Sequence, residues 1–131
     1  MRIAYIMRGV SGSGKTTVAK QLIQNGGTIH ATDNYFMVEG VYTFDPAKLS
    51  EYHELNFQSF SESLQAGVPV IVCDNTNILY THYQRYVEAA EQAGYLVAIV
   101  TLPHPDPQQA AERNLHGVPL YAIDRQISRF E

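Results

Sequence analysis

Short runs of apolar residues alternate along this chain with longer segments in which apolar residues recur every three or four positions. Three runs are clear, at residues 3–7, 68–73 and 95–102, and a weaker one lies at 28–32. Apolar runs of this length, bounded by glycine or polar residues, are typical of strands buried in a parallel sheet. The pattern therefore predicts four strands, joined by connections long enough to contain helices.

These connections carry apolar residues at helical spacing, and glycine or proline marks most of their ends. The predicted helices cover residues 14–24, 46–66, about 79–93, 108–115 and about 120–130, while residues 34–42 predict a loop or short hairpin. Alternating strands and helices predict an α/β chain with a parallel sheet of four or five strands and helices on both faces. No linker divides the sequence, so we expect residues 1–131 to form one domain, with a lid at about 103–119 after a proline-rich connector.

One string of residues carries a specific chemical signal. Residues 9–16, called the phosphate loop below, read Gly-Val-Ser-Gly-Ser-Gly-Lys-Thr and match the pattern G-x-x-x-x-G-K-[ST] between a predicted strand and a predicted helix. Glycines let successive backbone N–H groups turn towards phosphate oxygens, and the N-terminus of the next helix adds partial positive charge. Lys15 is predicted to reach the β- and γ-phosphates of ATP, and the Thr16 hydroxyl to bind Mg²⁺.

The motif and its position predict the P-loop NTPase fold, a three-layer α/β/α arrangement. The alternative is a surface turn rich in serine and glycine that contains a lysine by chance. The residues predicted to bind the nucleotide are Gly9, Ser11, Gly12, Ser13, Gly14, Lys15, Thr16 and Thr17.

Two acidic residues follow predicted strands. Asp74 ends the run that begins at residue 68, and an acid at the carboxyl end of a strand beside the phosphate loop is suited to hold Mg²⁺ directly or through water. Its alternative role is to cap the following turn. Asp33 comes just beyond the second strand, where a carboxylate could accept a proton from a hydroxyl group. An Asx turn with the residues after it is an equally open interpretation.

Arginine is the residue expected to stabilise charge on a transferring phosphoryl group, and Arg113 lies in the predicted lid. An exposed helical arginine paired with Glu112 or another nearby acid is the alternative. Arg125 and Arg129 are four residues apart on the last predicted helix, where a solvated face is the default interpretation.

The histidines show no spacing typical of zinc ligands. His53 and Asn56 lie one helical turn apart and could face an acceptor together, although packing in the core is the usual role of such a histidine.

Composition narrows the classes of function. The chain has 45% hydrophobic residues, 9 basic and 13 acidic residues, and a net charge of −4. This charge argues against coating long duplex nucleic acid, which requires many cations. No apolar run approaches the ~20 residues that span a bilayer, and the first residues do not resemble a signal peptide, so we expect no membrane partner. The single cysteine excludes an internal disulfide, and a reducing cytoplasm is the expected location.

Together with the phosphate loop, three strings make the chain resemble a known group. Residues 32–36 read Thr-Asp-Asn-Tyr-Phe, residues 72–77 read Val-Cys-Asp-Asn-Thr-Asn and residues 113–119 read Arg-Asn-Leu-His-Gly-Val-Pro. The chain is similar to small P-loop kinases related to the kinase domain of phage polynucleotide kinase, to ATP-binding domains of vertebrate ubiquitin-ligase-binding proteins and, more distantly, to zeta toxins. Such domains are often classed as AAA-type ATPases.

The resemblance implies that Asp33 is the base that activates an acceptor hydroxyl and that Arg113 is the lid arginine over the phosphates of ATP. With Lys15, these form the predicted catalytic set, while Thr16 and Asp74 form the predicted metal set. The chain departs from polynucleotide kinase at Phe36, where that enzyme has an arginine that grips the 3′-phosphate of its substrate.

The sequence therefore predicts a phosphotransferase that moves the γ-phosphoryl group of ATP-Mg to an acceptor hydroxyl, with residual ATPase activity if water enters the site. The acceptor can be a polynucleotide or nucleoside 5′-hydroxyl, or a small molecule. The alternative is an ATP-binding or ATPase interaction module that has no acceptor site. A GTPase is disfavoured because no Asn-Lys-x-Asp string is present.

Overall fold

The computed structural model describes all residues from 1 to 131 and contains six strands and five α-helices. In chain order they are β1 (Ile3–Arg8), α1 (Lys15–Leu22), β2 (Thr28–His30), β3 (Met37–Val38), β4 (Val41–Tyr42), α2 (Leu49–Ala66), β5 (Val70–Asp74), α3 (Tyr80–Gln92), β6 (Leu96–Thr101), α4 (Pro107–Arg113) and α5 (Leu120–Arg129). Single-turn 3₁₀ helices at Thr32–Phe36 and Pro46–Lys48 precede β3 and α2.

Four parallel strands form the central sheet in the order β2-β5-β1-β6. Ile3 of β1 aligns with Val70 of β5, and Met7 aligns with Asp74, so the two strands end at the same level. This parallel sheet confirms the predicted α/β fold. It has four strands, the lower of the two numbers expected. The short strands β3 and β4 form a separate antiparallel hairpin. The segment 34–42, for which either a loop or a short hairpin was expected, therefore contains a hairpin.

Apolar residues on both faces of the sheet are covered by helices. Ala4 and Ile6 pack in one cluster with Phe60 of α2 and Tyr86 of α3. Met7, which points to the opposite face because side chains alternate along a strand, packs with Ala19 of α1. A third cluster joins the phosphate loop to the two C-terminal helices through Val10, Ile78, Ala110 and Ile123. The arrangement is the predicted three-layer sandwich.

Element boundaries differ from the sequence prediction at two functionally important places. The second strand ends at His30 rather than at residue 32, because the chain turns into a 3₁₀ helix whose Thr32 N–H donates to Asn75 Oδ1 over 2.9 Å. The lid helix ends at Arg113 rather than at residue 115, because the Asn114 side chain donates to the last-turn carbonyls of Ala110 and Ala111. Both side-chain contacts turn the backbone towards the end of the sheet.

No helix in this structure combines the length and the apolar character that a membrane span requires.

Candidate active site

The phosphate loop connects β1 to α1 at the carboxyl end of the sheet. Gly14 precedes α1 in the left-handed conformation, with φ of 97°, and no side chain caps the first amides of the helix. The first turn contains no acidic residue. Because these N–H groups and the positive end of the helix dipole have no competing carboxylate, the loop is suited to bind an anion such as a phosphate chain.

Gly12 allows the lid helix to approach the phosphate loop closely. Its φ is 80°, and a Cβ atom at this position would lie 2.5 Å from the carbonyl oxygen of Ala110 in α4. A side chain at position 12 would therefore push α4 away. The glycine thus permits both the left-handed turn and the contact between the two elements.

Lys15 is the cation of the phosphate loop. Its Nζ donates to the carbonyl oxygen of Val10 over 3.2 Å, a contact that keeps the ammonium group next to the loop. Burial lowers the pKa of Lys15. The negative charges of Asp74 and Asp33 act in the opposite direction but do not cancel the effect of burial. A phosphate group near Nζ would favour the charged form of the lysine in the same way.

Asp74 and Thr16 meet at the base of the cleft. The Thr16 hydroxyl donates to Asp74 Oδ2 over 3.0 Å, whereas Asp74 Oδ1 is buried and has no hydrogen-bond partner. Burial raises the pKa of Asp74, and the nearby Lys15 charge and Thr16 hydroxyl oppose that shift. A buried carboxylate oxygen without a donor is suited to a cation, directly or through water, so these residues fit Mg²⁺.

The structure contains no group of three or more His, Cys, Asp or Glu side chains placed to hold a metal ion. A magnesium ion at Asp74 therefore needs most of its ligands from elsewhere. This is the usual situation for Mg²⁺ in nucleotide sites, where one or two protein groups combine with phosphate oxygens and water.

Asp33 lies in the 3₁₀ turn after β2, with its side chain half exposed. Asp33 Oδ1 accepts a hydrogen bond from the Tyr42 hydroxyl over 3.3 Å, and Oδ2 lies 3.2 Å from His116 Nδ1. The carboxylate receives no hydrogen bond from the backbone of the two residues that follow it, so the Asx turn is not formed. Asp33 is instead held between the β3–β4 hairpin and the lid.

Arg113 ends α4 and contacts the phosphate loop. Its Nε donates to the carbonyl oxygen of Gly12 over 2.7 Å, and it makes no ion pair with Glu112. The guanidinium group is exposed and keeps its other donors available. Its position beside the phosphate loop is the one that a lid arginine needs.

These residues surround one cleft of about 670 Å³. Of the predicted nucleotide-binding residues, all except Gly9 and Ser13 line it. The predicted catalytic and metal residues that line this cleft are Lys15, Thr16, Asp33, Asp74 and Arg113. The fold therefore gathers side chains from four separate parts of the sequence in one space.

Gly9 and Ser13 lie beneath the surface of the phosphate loop. A Cβ atom on Gly9 would lie 2.5 Å from Ser13 Oγ, which is itself buried without a hydrogen-bond partner. These two residues therefore lie close to each other within the loop and do not line the cleft.

Tyr42 and His116 also line the cleft, and the sequence interpretation assigned neither of them a role. Tyr42 belongs to a hairpin of two-residue strands that hydrophobic periodicity does not reveal. His116 lies within residues 113–119, one of the strings that carry the resemblance to P-loop kinases. That string is the feature of the sequence that could have indicated a role for His116.

Three other candidates lie outside the cleft. Phe36 is only 1% exposed and packs among Tyr42, Phe44 and Tyr52, so it does not occupy a substrate-gripping position. His53 Nδ1 contacts the Thr32 hydroxyl at 3.1 Å, and buried Asn56 donates to the hydroxyl of Tyr86 over 3.0 Å. Of the two residues, Asn56 is buried and His53 is half-buried, and neither lines the cleft.

The chain is similar to proteins of known family over almost its whole length. The sequence profile of the AAA domain family matches residues 5–131. Human (Homo sapiens) NEDD4-binding protein 2 is 32% identical over 137 residues, a match that covers 98% of this chain and 8% of that protein. The chain thus spans less than a tenth of the length of this relative.

Solved structures share the fold. A chain of the Pnkp1/Rnl/Hen1 RNA repair complex matches with a TM-score of 0.74 and 19% identity, covering 98% of this chain and 43% of that one. A gluconokinase from Sinorhizobium meliloti 1021 matches with a TM-score of 0.64 and 21% identity, covering 100% and 77% of the two chains. The predicted resemblance to small P-loop kinases is confirmed.

Proposed function

The chain belongs to the AAA domain family, and from that premise we propose that it transfers the γ-phosphoryl group of ATP to a hydroxyl group of an acceptor. Proteins of known structure that share its fold include kinases. The proposal assigns the nucleotide to the phosphate loop and the acceptor to the end of the cleft that holds Asp33.

At the nucleotide end, the phosphate-loop amides and Lys15 bind the phosphates of ATP. The uncapped N-terminus of α1 supports this assignment, because it offers N–H donors that no side chain occupies. Arg113 supplies a second cation from the lid and stabilises the charge that develops on the transferring group.

Thr16 and Asp74 would hold Mg²⁺, which neutralises charge on the phosphates when it is bound. The buried Asp74 oxygen without a donor supports this role. The hydrogen bond from Thr16 orients the other oxygen of the carboxylate and so directs Oδ1 away from the threonine.

At the acceptor end, Asp33 removes the proton from the acceptor hydroxyl. The hydroxyl oxygen forms a bond to the γ-phosphorus, the bond from that phosphorus to the β–γ bridging oxygen breaks, and ADP leaves. The observation that carries the proposal is that Asp33 lines the same cleft as Lys15 and Asp74. An ATP-binding interaction module has no need of a carboxylate there.

The proposed acceptors are a short nucleic-acid end, a nucleoside or another small hydroxyl compound. Phe36 is buried and offers no grip for a 3′-phosphate, and the net charge of −4 disfavours a long polyanion. The relevant structural neighbours include part of an RNA repair complex and a gluconokinase, so both classes belong in the test.

The experiment is a screen for transfer of label from γ-labelled ATP in the presence of Mg²⁺. The acceptors are DNA and RNA with 5′-hydroxyl ends, nucleosides and sugars. We expect the wild-type protein to label at least one of them, and Asp33→Asn to reduce transfer by ~100-fold or more, as expected for loss of a general base. ATP affinity, measured by calorimetry, should change little because Asp33 is not assigned to the phosphates.

Asp124→Asn provides a matched control, since Asp124 is an exposed carboxylate on α5 outside the cleft. Transfer that survives in Asp33→Asn contradicts the assignment of the base. Tight ATP binding without transfer to any acceptor in the panel favours the interaction module instead.

A further inference from the structure

The segment that begins at the last residue of α4 contacts both ends of the cleft within four residues. Arg113 Nε donates to the Gly12 carbonyl over 2.7 Å at the nucleotide end, and His116 Nδ1 lies 3.2 Å from Asp33 Oδ2 at the acceptor end. We call residues 113–118 the lid hook. A single short turn therefore connects the phosphate loop to the proposed base.

Asn114 fixes the shape of the lid hook with its side-chain amide. Its Nδ2 donates to the carbonyls of Ala110, Ala111 and Val118 over 3.0, 3.1 and 3.0 Å. Its Oδ1 accepts from the N–H groups of His116 and Val118 over 3.2 and 2.8 Å. Because five hydrogen bonds fix this turn, Arg113 and His116 are held in a constant relation to each other.

His116 and Tyr42 enclose the carboxylate of Asp33 from two sides. Their rings lie 4.3 Å apart between centroids with an interplanar angle of 32°. The Tyr42 hydroxyl donates to Asp33 Oδ1, while His116 faces Oδ2. Burial, together with the Asp33 charge, raises the pKa of Tyr42, so its hydroxyl remains a donor. Each oxygen of the carboxylate thus has one neighbour that fixes its orientation.

We propose that His116 is a positioning residue, which orients Asp33 towards the acceptor hydroxyl when the lid hook rests on the phosphate loop. This inference rests on the proposed function, since that function gives Asp33 its role as base. With Asp33 ionised, His116 Nδ1 donates its proton to Oδ2, and the remaining lone pairs of the carboxylate are left for the acceptor.

The arrangement places both ends of the cleft under one turn. Arg113 contacts the phosphate loop and His116 contacts Asp33 in the same structure, and the hydrogen-bonded turn of Asn114 lies between them. The proposed base therefore has its neighbour in the arrangement in which α4 rests against the phosphate loop, where water would be excluded from the reaction.

Substitutions of His116 can distinguish positioning from simple packing. The amide nitrogen of asparagine can take the place of Nδ1, whereas the amide of glutamine reaches the position of Nε2. We expect His116→Asn to keep kcat within ~3-fold of wild type, and His116→Ala and His116→Gln to lower kcat by roughly 10–100-fold, the scale of a misplaced catalytic group. The KM for ATP should stay within ~2-fold in all three variants, because Arg113 is unchanged.

The assay follows transfer from γ-labelled ATP to the acceptor found in the screen. His104→Asn is the control, because His104 lies before α4 and packs against Phe130 outside the cleft. Equal losses in His116→Asn and His116→Ala, or full activity in His116→Gln, overturn the proposal.

A second measurement does not depend on catalysis. Nitrogen-detected NMR of the imidazole rings should show the proton of His116 on Nδ1, with a shift change in Asp33→Ala that His104 does not share. If His116 does not respond to Asp33→Ala, the proposal is wrong. If it responds but no variant or acceptor shows phosphoryl transfer, the pairing holds and the proposed function fails.

Discussion

Lys15 and Asp74 carry charges that their own burial opposes. Burial lowers the pKa of the lysine and raises the pKa of the aspartate, since both charged forms lose hydration. Each charge partly offsets the shift of the other, yet Asp74 Oδ1 still lacks a donor. The cleft therefore contains charges for which phosphate and Mg²⁺ are the natural complements.

Asp74→Asn should weaken the effect of Mg²⁺ on nucleotide binding. The substitution keeps the shape of the side chain and removes the charge that a cation needs, and even indirect metal partners contribute ~10–100-fold in affinity. We expect the gain in ATP affinity on adding Mg²⁺ to shrink by roughly that factor, measured by calorimetry with and without the ion. Affinity without Mg²⁺ should not fall. An unchanged Mg²⁺ effect would show that Asp74 does not hold the metal.

Among the elements, α4 connects the C-terminal part of the chain to the phosphate loop. Its Ala110 lies against Gly12 and is fully buried, with Ile123 of α5 in the same apolar cluster. The position of Arg113 and of the lid hook depends on this contact. The packing of this short helix therefore fixes the position of Arg113 and of the lid hook beside the cleft.

Gly12→Ala should destabilise this contact more than an ordinary substitution of a left-handed glycine. Gly94 provides the comparison, because its φ is 83° and no atom lies within 4 Å of the Cβ position, whereas Gly12 has φ of 80° and the Ala110 carbonyl at 2.5 Å. Both substitutions strain the backbone, but only the first displaces α4, at a further cost of about 1–3 kcal/mol. Urea unfolding of the two variants measures this difference. Equal losses of stability would mean that α4 adapts without strain.

The same elements show where sequence patterns stop being informative. Periodicity predicted a strand to residue 32 and a lid helix to residue 115. Asn75 and Asn114 end these elements earlier, at His30 and Arg113, by hydrogen bonds that the hydrophobic pattern does not encode. Asp33 follows the first of these ends and His116 follows the second, and their side chains meet at 3.2 Å.

In the molecule as a whole, a buried histidine connects stability to pH. His30 is 8% exposed, and its ring nitrogens lie 2.9 Å from Ser63 Oγ and 3.1 Å from Ser59 Oγ. Hydroxyl groups surround the ring without a carboxylate to pair with an imidazolium. Burial therefore lowers the pKa of His30, and the folded protein holds this residue neutral.

The free energy of unfolding should decrease as the pH falls below about 6.5, the ordinary pKa of histidine. Below that value the unfolded chain binds a proton on His30 that the folded chain does not, so the loss continues until the lowered folded pKa is reached. The pKa values of His53 and His82 are also lowered and act in the same direction. Urea unfolding between pH 8 and pH 5, at about one-unit steps, measures the slope.

His30→Gln should flatten this slope, because glutamine does not titrate. The pKa of Asp74 is raised in the folded protein, so this residue contributes to the pH slope with the opposite sign. Its contribution is the same in the variant and in the wild type and cancels when the two slopes are compared. A slope that is the same in His30→Gln and wild type would exclude His30 as its source.

The sequence alone predicted the layered fold, the phosphate loop and, as candidates for the site beside it, Asp33, Asp74 and Arg113. Apolar runs and helical spacing are local consequences of burial, and residues 9–16 form a binding loop from consecutive backbone groups. Only the tertiary structure decided the surroundings of Asp33, where the Tyr42 hydroxyl of the β3–β4 hairpin and His116 Nδ1 of the lid hook meet its carboxylate. Their meeting depends on the β3–β4 hairpin, the lid hook and the early ends of two elements, and contacts between side chains far apart in sequence leave no periodic pattern from which to predict them.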